Sequence, residues 1–99
     1  MKHDFRKEPM GADADRFCEW LLAETTTALA RDYGHAESTK ASIFLFVNRA
    51  FESHMPEDRI AEIFGKSIVR AGFQEHEQEP AFDWFELFAG IARGVYAGS

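Results

Sequence analysis

The sequence predicts an all-α protein, a compact bundle of four main helices with a loose N-terminal arm, and three observations predict it. Apolar residues recur at i, i+3 and i+4 over four successive segments. Helix punctuation frames those segments: Gly34, Gly72 and Gly98 follow three of them, and Pro56 and Pro80 open two. The connections left between them are about 3–8 residues, the length that joins neighbouring antiparallel helices in a bundle.

The first segment, about Asp13 to Tyr33, opens on Asp13 or Asp15 as N-cap and stops at Gly34. Its apolar face is Cys18, Leu21, Leu22, Thr25, Leu29 and Tyr33, with Phe17 and Trp20 at the flanks. The run Thr25, Thr26, Thr27 is its weak point, because β-branched side chains lose rotamer freedom in a helix. Packing has to compensate there.

The second segment, about Ser38 to His54, contains five consecutive apolar residues, Ile43 to Val47, which on their own also suit a buried strand. The helical pattern extends through Ala50 and Phe51, well past the ~5–6 residues of an ordinary strand, so helix is the better assignment. Its apolar width makes it the central helix.

The third segment, about Pro56 to Ala71, places Glu57 and Asp58 where a helix dipole favours negative charge. Ile60, Ile63, Phe64, Ser67, Ile68 and Ala71 fall on one face. The fourth, about Pro80 to Ala97, has the same proline start, with Asp83 and Glu86 in its first turns. Its apolar set from Ala81 to Tyr96 is wider than two-layer packing requires.

Composition bounds what such a bundle does. Ninety-nine residues at 45% hydrophobic content make one domain, with residues 1–12 as a flexible arm and 13–99 as the helical body. No apolar run approaches the ~20 residues of a membrane span, and the first fifteen residues lack the apolar core of a secretory signal. A cytoplasmic protein is expected. A formal charge of −6 disfavours direct binding to nucleic acid or anionic lipid. The single cysteine, Cys18, forms no internal disulfide and supplies no thiolate pair for zinc; on an apolar face it reads as a small hydrophobe.

Two fragments of familiar appearance overlap in "RIAEIFGKSIVRAGF", Arg59 to Phe73. A helix-turn-helix would place Ala61 in its first helix and turn at Gly65, but Lys66 then stands where an apolar anchor belongs. Gly72 would also cut the recognition helix to about two turns. A phosphate loop ending in Gly65-Lys66-Ser67 lacks its first glycine, since Ile60 holds that position, and lacks a preceding strand. One continuous helix explains the spacing better. Arg59, Lys66 and Arg70 then fall within a sector about 40° wide, a basic patch beside the apolar face.

Catalytic constellations are sparse. None of His3, His35, His54 and His76 has glutamate three residues before it, which removes the paired Glu-x-x-His motif of di-iron bundles. His76 among Glu75, Glu77 and Glu79 reads as a flexible acidic turn, and Asp83 and Glu86 are explained by the helix dipole. No enzyme activity, cofactor or metal is expected.

The stronger signal is "EHEQEPAFDWFELF", Glu75 to Phe88, in which five acids and no lysine or arginine alternate with four aromatic residues. Core packing beside a solvated acidic loop is one account of all of it; the functional reading is an acid-rimmed aromatic surface, of the sort that anchors protein interfaces, facing a basic partner. Glu75, Glu77, Glu79, Phe82, Asp83 and Glu86 are the partner-binding candidates. The reading is a non-enzymatic adaptor or inhibitor whose partner is basic or handles nucleic acid. Size and charge motivate a sharper form, a phage or mobile-element inhibitor that covers the nucleic-acid groove of a larger machine. The alternative is a helix-turn-helix-like DNA-binding regulator using residues 59–73, and surplus apolar surface on the second and fourth segments would suit a homodimer.

Overall fold

The computed structural model describes residues 12–96. Four helices follow one another: α1 (Ala12–Arg31), α2 (Ala36–Glu52), α3 (Glu57–Arg70) and α4 (Glu75–Tyr96), joined by connections of four residues each. There is no strand among the described residues. The expected arm lies outside them, apart from Ala12, which opens α1. Asp13 and Asp15, the expected caps, sit inside the first turn of α1 instead, because the helix already begins at Ala12.

Helix α2 is central, packing on α1, α3 and most extensively α4, while α1 also lies against α3. No packing joins α1 to α4, so these two occupy opposite corners. The core is built where the faces meet. Leu21 and Leu29 of α1, Ile43, Phe46 and Val47 of α2, and Ile60, Phe64 and Ile68 of α3 are almost completely removed from water. Phe64 stacks on Phe85 of α4 with ring centroids 4.8 Å apart, and Phe46 lies 5.7 Å from Phe64. Burying rings of this size contributes about 1.5–3 kcal/mol each.

The face expected on α3 is the one observed: Ile60, Ile63, Phe64, Ser67 and Ile68 are buried, and Ser67 returns its hydroxyl to the Ile63 carbonyl (2.9 Å). The threonine run of α1 is compensated only in part. Thr25 is buried in the core, and the Thr26 Oγ1 is buried without a hydrogen-bond partner.

Helices α2 and α3 end alike. The Met55 N–H donates to the Ala50 carbonyl and the Phe73 N–H to the Ile68 carbonyl, six-residue closures with the residue before in a left-handed conformation. At α3 that residue is Gly72 (φ 98°); at α2 it is His54 (φ 63°), where a side chain makes the conformation costly.

The start of α4 corrects the sequence reading. The helix begins at Glu75, so Pro80 lies inside it and the acidic stretch is helical, not a loop. Proline there removes one backbone bond, which normally stops a helix. Contacts around the first turn hold it nonetheless. The Gln74 N–H donates to Glu77 Oε1 (2.7 Å), half of a capping box, and Gln78 Nε2 donates to the Phe73 carbonyl (3.2 Å). The Tyr33 hydroxyl, in the connection between α1 and α2, donates to Glu77 (2.7 Å).

Candidate acidic docking face on helix α4

Because α4 starts early, its acids are arranged by helical geometry. Glu75, Glu79 and Asp83 fall in one i, i+4 row, with Glu86 close beside it, and all four are exposed. No ion pair or hydrogen bond neutralises any of the four among the described residues. Elsewhere on the surface Glu37, Glu57 and Glu62 are met by Lys40 (3.2 Å), Arg93 (2.8 Å) and Lys66 (3.4 Å). Like charges at i, i+4 destabilise a helix by about 0.2–0.5 kcal/mol per pair, so the row is held at a cost to the free protein. Its position in the first half of α4 offsets part of that cost through the helix dipole.

Two of the six expected partner-binding residues are placed otherwise. Glu77 turns toward the Tyr33 hydroxyl and the Gln74 amide, and these bonds, the Tyr33 one foremost, hold its carboxyl below the usual glutamate range. Phe82 turns inward. Its ring meets Phe64 edge-on at 5.1 Å and lies over Gly65, where a Cβ would stand 3.6 Å from Cζ. Gly65 is thus the place where α4's ring passes close to α3, not a turn.

The outward aromatic is Trp84, 36% exposed, with its ring beneath the Lys40 ammonium (4.4 Å) and stacked on Phe88 (5.7 Å). Trp84 also forms one wall of a shallow cleft of about 300 Å³, together with Tyr33, Phe73, Ile43 and the stem of Lys40. The cleft lies at the small end of ligand-sized pockets and is mostly apolar, so it fits one inserted side chain. Sequence spacing identified the aromatic cluster but not this cleft, because Tyr33 and Phe73 come from connections that only the fold brings together (ring centroids 5.4 Å).

A further residue escaped the sequence reading. Asp32, 8% exposed, accepts from Arg31 Nε (3.0 Å) and from the Ser42 hydroxyl (2.6 Å), and its carbonyl receives the His35 N–H and the Thr39 hydroxyl. The Arg31 bond first, and the Ser42 bond next, hold its carboxyl below the normal aspartate value. An acid just after a helix C-terminus opposes the dipole. That anomaly was the available signal that Asp32 has a structural task, here fastening α1 to α2.

The basic residues Arg59, Lys66 and Arg70 all lie exposed on α3. They run along one uninterrupted helix, Glu57–Arg70, so there is no turn at Gly65, and the 59–73 segment turns only after Arg70, where α3 ends. Arg59 points its guanidinium at Cys18 Sγ (3.5 Å), and Cys18 is partly buried between α1 and α3. Among the described residues, no group of His, Cys, Asp and Glu is placed to hold a metal ion, and no helix is long and apolar enough to cross a membrane. Comparison with known protein families, with characterised proteins and with solved structures finds no match to this chain.

Proposed function

We propose that this chain is a non-enzymatic protein-binding module that acts in the cytoplasm as an adaptor or inhibitor. It docks on a basic, nucleic-acid-handling surface of a partner. The observation that carries the reading is the unneutralised row Glu75, Glu79, Asp83 and Glu86 on a rigid helix, one residue from an exposed tryptophan. Carboxylates spaced along a helix present fixed negative charge at about 6 Å intervals, the kind of array that lysines and arginines serving a phosphate backbone would meet. Trp84 and the adjoining cleft supply the apolar anchor that interfaces concentrate at their centre.

The test compares the wild-type chain with a Glu75→Lys, Glu79→Lys, Asp83→Lys variant as bait against host lysate at low and moderate salt. Glu77 is left intact because it holds the helix start. The reading expects a stoichiometric basic protein retained by the wild type, lost by the variant and released as salt rises. Equal retention by both baits overturns it.

A further inference from the structure

Helix α4 carries a second apolar row besides the one in the core. Ala81, Phe85, Ala89 and Ala92 are buried, whereas Trp84, Leu87, Ile91 and Val95 recur at helical spacing on the outside. Beside them α2 contributes Phe44, in edge contact with Phe88 of α4 (5.3 Å), and Leu45. Leu87 and Ile91 are each 52% exposed, Val95 62%, and Phe44 and Leu45 48%. With Trp84, these six side chains leave on the order of 500–600 Å² of apolar surface in water, the upper end for a monomer's largest patch. A stable interface takes about 800 Å² from each partner, and about 65% of a homodimer interface is apolar. The face therefore supplies the apolar area that one side of a dimer needs.

Charge selects the occupant. From Leu87 to Tyr96, α4 has a single charged residue, Arg93, and its guanidinium is held by Glu57 of α3 at 2.8 Å. A basic partner finds no carboxylate there, whereas a second uncharged face fits. Two copies carrying −6 each must also keep their acidic halves apart. An antiparallel crossing of two α4 helices at Ile91 does this. At 1.5 Å per residue it separates the two Asp83 residues by about 24 Å and the two Glu75 residues by about 48 Å along the helix, well beyond the ~8–10 Å screening length.

Gly94 points the same way. Its φ is not positive, and a Cβ there would meet nothing within 4 Å. Within the monomer nothing requires glycine at this position, although it costs about 1 kcal/mol relative to alanine inside a helix. It lies about 60° around α4 from Ile91, at the margin of the crossing, where a small residue lets a second helix come close; Gly90, about 100° from Ile91, is on the side of the acid row.

We infer that the outer face of α2 and α4 binds a second copy of this chain in a two-fold dimer. The α4 helices run antiparallel and cross at Ile91, with Leu87 of each copy against Val95 of the other. Such an interface is isologous and closes at two subunits. It does not rest on the basic-partner reading; the two surfaces share Trp84, and the dimer leaves one acidic row free at each end of the pair.

Light scattering and sedimentation equilibrium across the micromolar to millimolar range test it. The wild type should reach twice the 11.3 kDa chain mass, with no weakening as salt rises, and Ile91→Glu should remain at 11.3 kDa with an unchanged far-UV dichroism spectrum. In a Cys18→Ser background, Ile91→Cys should form a disulfide-linked dimer with glutathione disulfide, while Glu62→Cys on the outer side of α3 should not. A wild type that stays monomeric at millimolar concentration overturns the proposal. So does a dimer that persists in Ile91→Glu or fails to cross-link at Ile91→Cys. Salt separates this from basic-partner docking, which weakens as salt rises.

Discussion

The Tyr33 hydroxyl lies 2.7 Å from both carboxylate oxygens of Glu77, across 44 residues of sequence, and it ties the α1–α2 connection to the start of α4. Tyr33 stands between α1 and α2, and Glu77 lies in the first turn of α4. The two groups shift in opposite directions. Glu77 is held below its normal range by the Tyr33 bond first, and the Tyr33 phenol is raised because the proton it would lose is the one donated to Glu77, with partial burial and then the carboxylate's charge adding to the effect. In a Tyr96→Phe background, ultraviolet titration should show the remaining phenol ionising above the free-tyrosine value. Glu77→Gln should bring it back toward that value. A phenol titrating identically in both proteins would mean the bond is absent in solution.

Asp32 makes stability depend on acid. Its native carboxyl sits below the normal value because Arg31 and Ser42 bond the charged form, so in mild acid the unfolded chain takes up the proton first. Its contribution is complete above the unfolded aspartate pKa of about 3.9 and is lost as the pH falls through the lower native value. Asp32→Asn should therefore lower Tm at pH 7, and its difference from the wild type should narrow as the pH falls below about 4. A gap that widens in acid would reverse the assignment.

His54 holds a left-handed conformation (φ 63°) at the end of α2, where Gly72 does the equivalent work for α3. A side chain with a Cβ costs about 1–2 kcal/mol in that region, offset in part because glycine loosens the unfolded chain. His54→Gly should stabilise the protein by about 0.5–1 kcal/mol in urea unfolding, with an unchanged m-value. A destabilised variant would show that the exposed imidazole contributes more than the strain costs.

How much of this was legible in sequence depends on the range of the contacts involved. The buried face of α3 was readable position by position, because a run such as Ile60, Ile63, Phe64, Ser67, Ile68 has only one helical interpretation. The start of α4 was not. Pro80 is a strong local stop signal, and it is overridden by Glu77 bonded to Tyr33 and by Gln78 bonded to Phe73. The first of those partners lies in a distant connection. The acid row was visible as composition, but its alignment depended on that earlier start. The exchange of roles between Phe82 and Trp84 had the same origin: periodicity separates the two rings, and only the approach of α3 at Gly65 decides which one turns inward.

Gly65 also provides the sharpest check on how the Arg59 to Phe73 segment works. In a helix-turn-helix this glycine would be the turn, and adding a side chain would clash or strain the backbone. In the structure it lies mid-helix, its φ is not positive, and an added Cβ would stand 3.6 Å from Phe82 Cζ, an ordinary packing distance. Alanine then fits the space, packs on the Phe82 ring and removes the conformational freedom glycine gives the unfolded chain. Gly65→Ala should raise stability by about 0.5–1 kcal/mol, with backbone chemical shifts remaining helical from Phe64 through Ser67. A loss of more than about 1 kcal/mol, or non-helical shifts at Lys66, would mean that α3 is broken there. It would also bring Arg59, Lys66 and Arg70 back as a DNA-facing set.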